Sequence, residues 1–454
     1  MANTTEKKEE PISADSHELE RVSERDHLGS LNATEPTTVF STTEPTTAAT
    51  TAEPTIVFST TEPTTAATTA PQRCQHSDPW ATCANPSSED KAKLAEALTE
   101  FALRFYKTVI SSERDDSNVV FSPLSVAVAL SHLLLGARDE TKRDLEMLLS
   151  YPEDFTCVHA AMKLLVKSEA LISASTIFFH KDLNVTNVFL NQSQWFYNSR
   201  PMQLSSNNTY NLQSINKWVS DQTKDKIKRL LDDLSPDVQM VLLNAVYFHS
   251  KWKTPFKVKN TLKEEFYRPG LGPIKVPMMT SKKYPLASFT DRNLQVKVVL
   301  RLQLSHDMSL VVIMPQNAVQ NLLEVEKRLD VEVFKAVMGR LETTPLKPTV
   351  VCLPKFKVDS TQDLMAILGE MKYGVFFNTN LCGISEKEEL EVSGARHRAV
   401  LELNEEGVEA AAATAISVAR TAWFFEVQRP FLFVLWNNNA KFPVFMGRIN
   451  DPTA

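Results

Sequence analysis

The stretch Glu405-Glu406-Gly407-Val408-Glu409-Ala410-Ala411-Ala412-Ala413-Thr414-Ala415-Ile416-Ser417-Val418-Ala419-Arg420-Thr421 constrains the fold most, because it supports two incompatible local structures. Four consecutive alanines behind acidic residues favour a helix. From Val408, however, every second residue (Val408, Ala410, Ala412, Thr414, Ile416, Val418) suits a buried strand face. The residues between them, Glu409, Ala411, Ala413, Ala415, Ser417 and Ala419, are small or polar. Period two marks a strand with one face buried. The run ends at Arg420, the residue type that trypsin-like proteases favour before the bond they cut. A segment that can be cut after an arginine and can also become a strand suggests a trap.

The chain of 454 residues, 43% hydrophobic, is long enough for one large domain with a substantial core or two smaller ones. With only 11 glycines, glycine-rich phosphate loops are not expected. No uninterrupted apolar run approaches the ~18 residues of a membrane span. The net charge of -6 is unevenly spread. Residues 1–73 hold 5 Lys/Arg and 12 Asp/Glu, whereas the remainder holds 44 and 43. The amino terminus has no apolar signal core, which taken alone favours the cytosol. Five cysteines and several glycosylation sequons argue the other way. A secreted protein is expected, its signal peptide removed or missing from this sequence.

Residues 35–52 repeat as 53–70, and sixteen threonines lie between Thr34 and Thr69. Such a segment cannot bury a core and reads as an extended, O-glycosylated stalk, the plain alternative being an unmodified disordered linker. Ordered structure is expected from near Glu89. Leu94, Leu98, Ala102, Phe105 and Val109 lie at helical spacing across residues 90–111. A second helix should run through Val126, Leu130, Leu133 and Leu134, capped by Ser122 with Pro123 in its first turn. From about residue 240 the texture changes to short apolar runs ended by turn or proline signals: 241–248, 309–314, 349–353 and 430–436. Helices first and strands later predict an α+β domain with large sheets. The expected organisation is a disordered Thr/Pro-rich extension over 1–73, a disulfide-tethered connector over 74–89 and a folded domain over 90–454.

Nucleotide-binding, zinc-protease and serine-hydrolase motifs are all missing, as is any C-x-x-C pair. His76 lies between Cys74 and Cys83, but their nine-residue separation and the lack of a second ligand pair argue against zinc. Neither an enzyme nor a metal protein is expected.

Four segments resemble the serpin family, in order along residues 90–454: Asn118-Val119-Val120-Phe121-Ser122-Pro123-Leu124-Ser125, Asn244-Ala245-Val246-Tyr247-Phe248-His249-Ser250-Lys251-Trp252, Gly407 to Thr414, and Phe442-Pro443-Val444-Phe445-Met446-Gly447-Arg448-Ile449-Asn450-Asp451-Pro452. The resemblance implies helices around large mixed and antiparallel sheets with an exposed reactive-centre loop. It implies suicide inhibition of trypsin-like serine proteases, with enzymes of the complement, contact (kallikrein), coagulation and fibrinolytic systems as targets. Arg420–Thr421 would be the reactive bond, and Glu406, Gly407, Val408, Glu409, Ala410, Ala411, Ala412, Ala413 and Thr414 the hinge that enters the main sheet after cleavage. Gly407 to Arg420 is one residue shorter than the family usually has, and Trp423-Phe424-Phe425 beyond the cut is unusually aromatic and bears on target preference. Ser122, Ser125, Asn244 and His397 match the polar cluster that gates strand separation, although the same residues could simply be satisfied core polar groups.

Sequence alone leaves fifteen ways to make two bridges and one free thiol. Serpins with a Thr/Pro-rich, two-cysteine extension imply Cys74–Cys382 and Cys83–Cys157, leaving Cys352 as a buried inert thiol. Lys251, Lys253, Lys257, Lys259, Lys275, Lys282 and Lys283 belong to a segment with nine Lys/Arg against Glu264 and Glu265. This is a candidate site for heparin-like glycosaminoglycans, or a solvated basic face. Asn3, Asn32, Asn184, Asn191 and Asn207 are candidate N-glycan sites. A monomer without cofactor, nucleic-acid or membrane partners is expected. Competing readings are a non-inhibitory serpin acting as a carrier, and a mucin-like interaction protein whose tail does the work.

Overall fold

The computed structural model describes residues 79–80, 83–166, 169–268, 270–316, 321–374, 376, 379–386, 390–405 and 423–454. The 408–418 alternation, the hinge over 406–414 and the Arg420–Thr421 bond lie outside the described residues, as do Cys74, Asn3 and Asn32.

Helix α1 (Ser88–Ser112) buries all five residues of the expected stripe. It starts where Ser87 and Asp90 form a reciprocal capping box, satisfying two backbone donors that the first turn would leave unpaired. The fold engages the chain earlier than Glu89. Trp80 is buried and its indole N–H donates to the Leu135 carbonyl at 3.2 Å. The connector contains a large ring whose apolar area is worth burying, and that outweighs its loop-like composition.

Helix α2 (Pro123–Leu134) follows strand β1 (Val119–Phe121), with Ser122 as its N-cap and Pro123 at its start. Every residue of α2 is buried, so it is a core helix rather than a surface one. Helices α3 (Asp139–Leu148), α4 (Val158–Leu165), α5 (Asn187–Tyr197) and α6 (Asn208–Gln222) complete the first half. Helices α7 (Leu322–Arg328), α8 (Val331–Thr343) and α9 (Leu364–Glu370) come later. None of the described helices is long and apolar enough to cross a membrane.

The described strands form two sheets. The nine-stranded sheet runs β1, β14 (Phe442–Ile449), β13 (Phe431–Asn437), β8 (Met308–Pro315), β7 (Val296–Gln303), β6 (Gly272–Asp291), β9 (Lys347–Pro354) and β12 (Trp423–Glu426). Strand β5 (Thr261–Arg268) pairs with β6 off this path. The five-stranded sheet has the order β10 (Phe356–Asp363), β11 (Gly394–Leu403), β4 (Met240–Phe248), β2 (Leu171–Phe179) and β3 (Met202–Gln203). It takes two strands from the half of the chain that reads as helical.

β4 is buried along its whole length and faces two apolar clusters. Leu242, Val246 and Phe248 join the main core, together with Ala395, Ala399 and Leu401 of β11. Leu243 and Ala245, with Val400 of β11, instead share a second cluster with Ile215 and Val219 of α6. The five-stranded sheet is therefore a middle layer.

Gly447 stands opposite Val120 where β14 pairs with β1. A β-carbon there would fall on the Val119 carbonyl and the Phe433 ring. Replacing Gly447 with alanine should lower the unfolding free energy by about 2 kcal/mol, the range for overpacking a dense core, measured by urea titration at neutral pH.

Candidate functional site: the central seam of the five-stranded sheet

β4 and β11 run parallel. Eight residue pairs stand in register, from Gly394 opposite Val241 to Leu401 opposite Phe248. Their outer neighbours are antiparallel: β10 against β11 and β2 against β4. Parallel ladders have slanted bonds and are slightly weaker per residue. The seam is thus the less favourable ladder at the centre of the sheet, and β11 is the strand that leads into the 406–422 segment.

In the register, His397 of β11 lies directly opposite Asn244 of β4. Both turn to the face where α2 begins. The Ser122 backbone N–H donates to His397 Nε2 at 3.0 Å. That bond makes Nε2 the acceptor, so Nδ1 carries the proton and donates to Asn244 Oδ1 at 2.6 Å. Ser125 Oγ donates to the same oxygen at 2.8 Å. Ser122 Oγ accepts from the Ser125 N–H and donates to the Val444 carbonyl of β14 at 2.7 Å. All four residues are buried. Burial brings the His397 pKa down from 6.5 to about 3. A neutral ring is also the form that can accept from Ser122. The amide nitrogen of Asn244 is buried without a partner among the described residues. The four residues matched to a polar cluster in sequence therefore meet at one point, across the seam and onto the helix beneath it.

The upper end of β11 is anchored separately. Trp252 donates its indole N–H to the Asn404 carbonyl at 2.8 Å. Glu405 accepts from Thr261 Oγ1 at 2.7 Å and from Lys355 Nζ at 2.9 Å. Burial would raise the Glu405 carboxyl, but these two hydrogen bonds, a backbone hydrogen bond and the Lys355 charge together hold the pKa below the usual range. The last two described residues before the 406–422 segment are thereby fixed, Asn404 by Trp252 and Glu405 by Thr261 and Lys355. Trp252 closes the motif that begins at Asn244, which gives that motif a physical reason: one end pins the middle of the seam and the other pins its exit.

A match to the family described as serpin (serine protease inhibitor) covers residues 96–452. The chain is a serpin. This serpin is 48% identical over 378 residues to the human (Homo sapiens) plasma protease C1 inhibitor, spanning 83% of this chain and 75% of that protein. It is 46% identical over 362 residues to the bovine (Bos taurus) Factor XIIa inhibitor, spanning 80% of this chain and 76% of the relative. Among solved structures, human glycosylated kallistatin superposes with a TM-score of 0.72 at 29% identity, over 80% of this chain and 99% of that one. Thyroxine-binding globulin in complex with thyroxine superposes at 0.71 with 25% identity, over 80% and 100%.

The remaining site residues of this serpin are spread over its surface and its tether. Cys83 and Cys157 form a disulfide with their Cα atoms 5.2 Å apart. Cys382 is disulfide-bonded, with its partner outside the described residues. Cys352 is free and buried, accepts a hydrogen bond from Thr280 at 3.6 Å, and has its pKa raised by burial. Asn184, Asn191 and Asn207 are all exposed. Asn207 caps α6 through its oxygen, which accepts from the Tyr210 N–H at 3.0 Å, so the nitrogen that would carry a glycan is not the capping atom.

Six of the seven lysines cluster by connectivity. Lys251, Lys253, Lys257 and Lys259 are exposed in the β4–β5 connection. That connection meets the end of β7 through Lys253 N–H to Gln303 O at 3.0 Å, and leads into β5, whose first residue Thr261 stands opposite Met279 within β6. Lys282 and Lys283 are exposed at the β6 irregularity just beyond Met279. Lys275 does not join them. It lies seven residues back along β6, roughly 23 Å in an extended strand, and stands opposite Glu265. Proximity in sequence grouped it with the others; its place along β6 separates it from Lys282 and Lys283.

Glu405, Thr261, Lys355 and Trp80 were not singled out in sequence. The signal for Trp80 was its size in an otherwise polar connector. The Glu405 anchor joins three distant segments and had no local signature.

Burial also keeps His132 at about 3 and lowers His159 well below 6.5. The folded state therefore binds fewer protons than the unfolded chain below pH 6.5. Stability from these groups is complete above that pH and is lost as the pH falls toward about 3. Urea titrations across this range, compared between the parent and His397→Gln, should isolate the seam's share. The variant's slope should be shallower by up to about 1.4 kcal/mol per pH unit. Parallel curves would show that His397 is not neutral in the fold.

Proposed function

We propose that this serpin inhibits serine proteases of the complement and contact systems as a suicide substrate. A protease attacks the bond between Arg420 and Thr421, forms an acyl-enzyme, and is carried off as the segment from Gly407 to Arg420 enters the sheet between β4 and β11. The observation that carries the reading is the parallel seam. A segment that doubles back from the end of β11 runs antiparallel to β11, and hence antiparallel to β4 as well. Insertion exchanges one parallel ladder for two antiparallel ones.

Fourteen residues from Gly407 to Arg420, at ~3.3 Å each, give a strand of roughly 46 Å. About ten additional ladder bonds at ~1 kcal/mol each would contribute on the order of 10 kcal/mol. That gain can offset deforming the attached protease, whose oxyanion hole must stay formed to release the ester. Ala410 to Ala413 suit a strand that must pass between two others, and Gly407 eases the backbone change at the pivot. These small residues favour inhibition over a carrier role. The names of the 48% and 46% identical relatives, a C1 inhibitor and a Factor XIIa inhibitor, support the choice of target systems.

In the same reading the protein is secreted and does not act as an enzyme. Residues 1–73 form a mucin-like extension and 74–89 a connector. Cys382 pairs with Cys74, since Cys83 and Cys157 are joined to each other and Cys352 is free. Lys251, Lys253, Lys257, Lys259, Lys282 and Lys283 form the glycosaminoglycan site, and Asn3, Asn32, Asn184, Asn191 and Asn207 carry N-glycans.

Mixing the protein with a complement serine protease should give a covalent band on a denaturing gel, and Arg420→Ala should abolish it with trypsin-like targets. Clean cleavage after Arg420 with no such band would sink the mechanism. Ala412→Glu should still be cleaved but yield roughly tenfold less complex, because insertion would bury an unpaired carboxylate. An undiminished band from that variant would rule out insertion of this face.

A further inference from the structure

Strand β12 begins at Trp423, the third residue past the proposed reactive bond, and ends one edge of the nine-stranded sheet. Its described partner is β9, with Trp423 opposite Thr349 and Phe425 opposite Val351. Side chains alternate across a strand, so Trp423 and Phe425 point to one face and Phe424 to the other. Phe425 is buried, but Trp423 is 63% exposed and Phe424 71% exposed. The strand thus overhangs the core at its loop-proximal end and presents one bare ring on each face. Lys347 Nζ stands 5.4 Å from the centroid of the Trp423 ring, a cation–π distance. Leu346 beside it is also exposed.

Two adjacent uncovered aromatic rings on an edge strand are a liability unless something covers them. The chain itself says what does. Extended residues span at most about 3.6 Å each. Trp423 therefore lies no more than about 11 Å from Arg420, and Phe424 no more than about 14 Å. A specific protein interface covers ~800 Å² on each partner, a disc with a radius of roughly 16 Å. A protease seated on the Arg420–Thr421 bond therefore reaches the stretch of strand that carries both rings.

We propose that Trp423 and Phe424 form a recognition pair for the attacking protease, selecting trypsin-like enzymes with an apolar rim on the leaving-group side of their cleft. Arg420 provides what such enzymes share, and the pair provides what separates them. Aromatic anchors of this kind dominate interface energetics. This inference rests on Arg420–Thr421 being the reactive bond. The pair acts on docking, before the bond is cut, and so sets the association rate and not the fate of the acyl-enzyme.

The test uses the full chain and the Trp423→Ala, Phe424→Ala and double variants. Second-order inhibition rates are measured against a panel of complement and contact-system proteases, with pancreatic trypsin as reference. Stoichiometry of inhibition and thermal midpoint are recorded in parallel. The double variant should slow at least one plasma protease by roughly tenfold while trypsin changes less than about threefold, a tenfold change being about 1.4 kcal/mol. Stoichiometry and thermal midpoint should hold, since both rings are exposed. Equal slowing of every protease, unchanged rates throughout, or a loss that tracks a lowered thermal midpoint would overturn the recognition pair alone. No covalent complex from the unaltered protein would overturn the reactive-bond reading, and this inference with it.

Discussion

Everything that distinguishes this fold from an inert α+β domain depends on one ladder, the parallel pairing of β4 with β11. This five-stranded sheet has two parallel pairings, one with the two-residue strand β3 at its edge and the other in its interior, between β4 and β11. It then covers the seam on both faces, with the main core on one side and α6 on the other. The covering layers hide the seam from water without strengthening its hydrogen bonds. The seam is held closed locally by Asn244, His397, Ser122 and Ser125, and its exit by Trp252, Thr261 and Lys355. Middle and end are pinned by separate side chains, so either can be perturbed without the other.

Much of this was legible in the chain because the relevant signals are local. The α1 stripe, the Ser122–Pro123 helix start and the apolar runs of β4, β8, β9 and β13 each follow from spacing that one element sets by itself. Strand β2 was not legible. Its residues Leu171 to Phe179 mix Ser and Thr with apolar residues, and its outer half is only partly buried. Its character as a strand comes from β4 beside it, not from its own pattern.

The site divides in the same way. Ser122 and Ser125 could be read as a cap, and Asn244 as part of a motif, but only the strand register brings His397 opposite Asn244. The anchor at Glu405 draws on β5, 144 residues away in the chain, and on the β9–β10 connection, 50 residues away, and no short window of sequence contains it. The lysine cluster shows the reverse error. Lys275 is near the others in the chain, and a single extended strand carries it away from them.

The polar cluster beneath the seam also has no net charge. With His397 neutral, Asn244 and the two serines make only uncharged hydrogen bonds, and one buried amide nitrogen is left over. Such a latch draws its strength from dryness. Its bonds are worth more than in water only while water stays out, and added salt has no charge there to screen. Packing around the cluster is therefore part of the latch. A core substitution several residues away that lets water compete for Asn244 Oδ1, where His397 and Ser125 both donate, would loosen the sheet without altering any residue of the cluster.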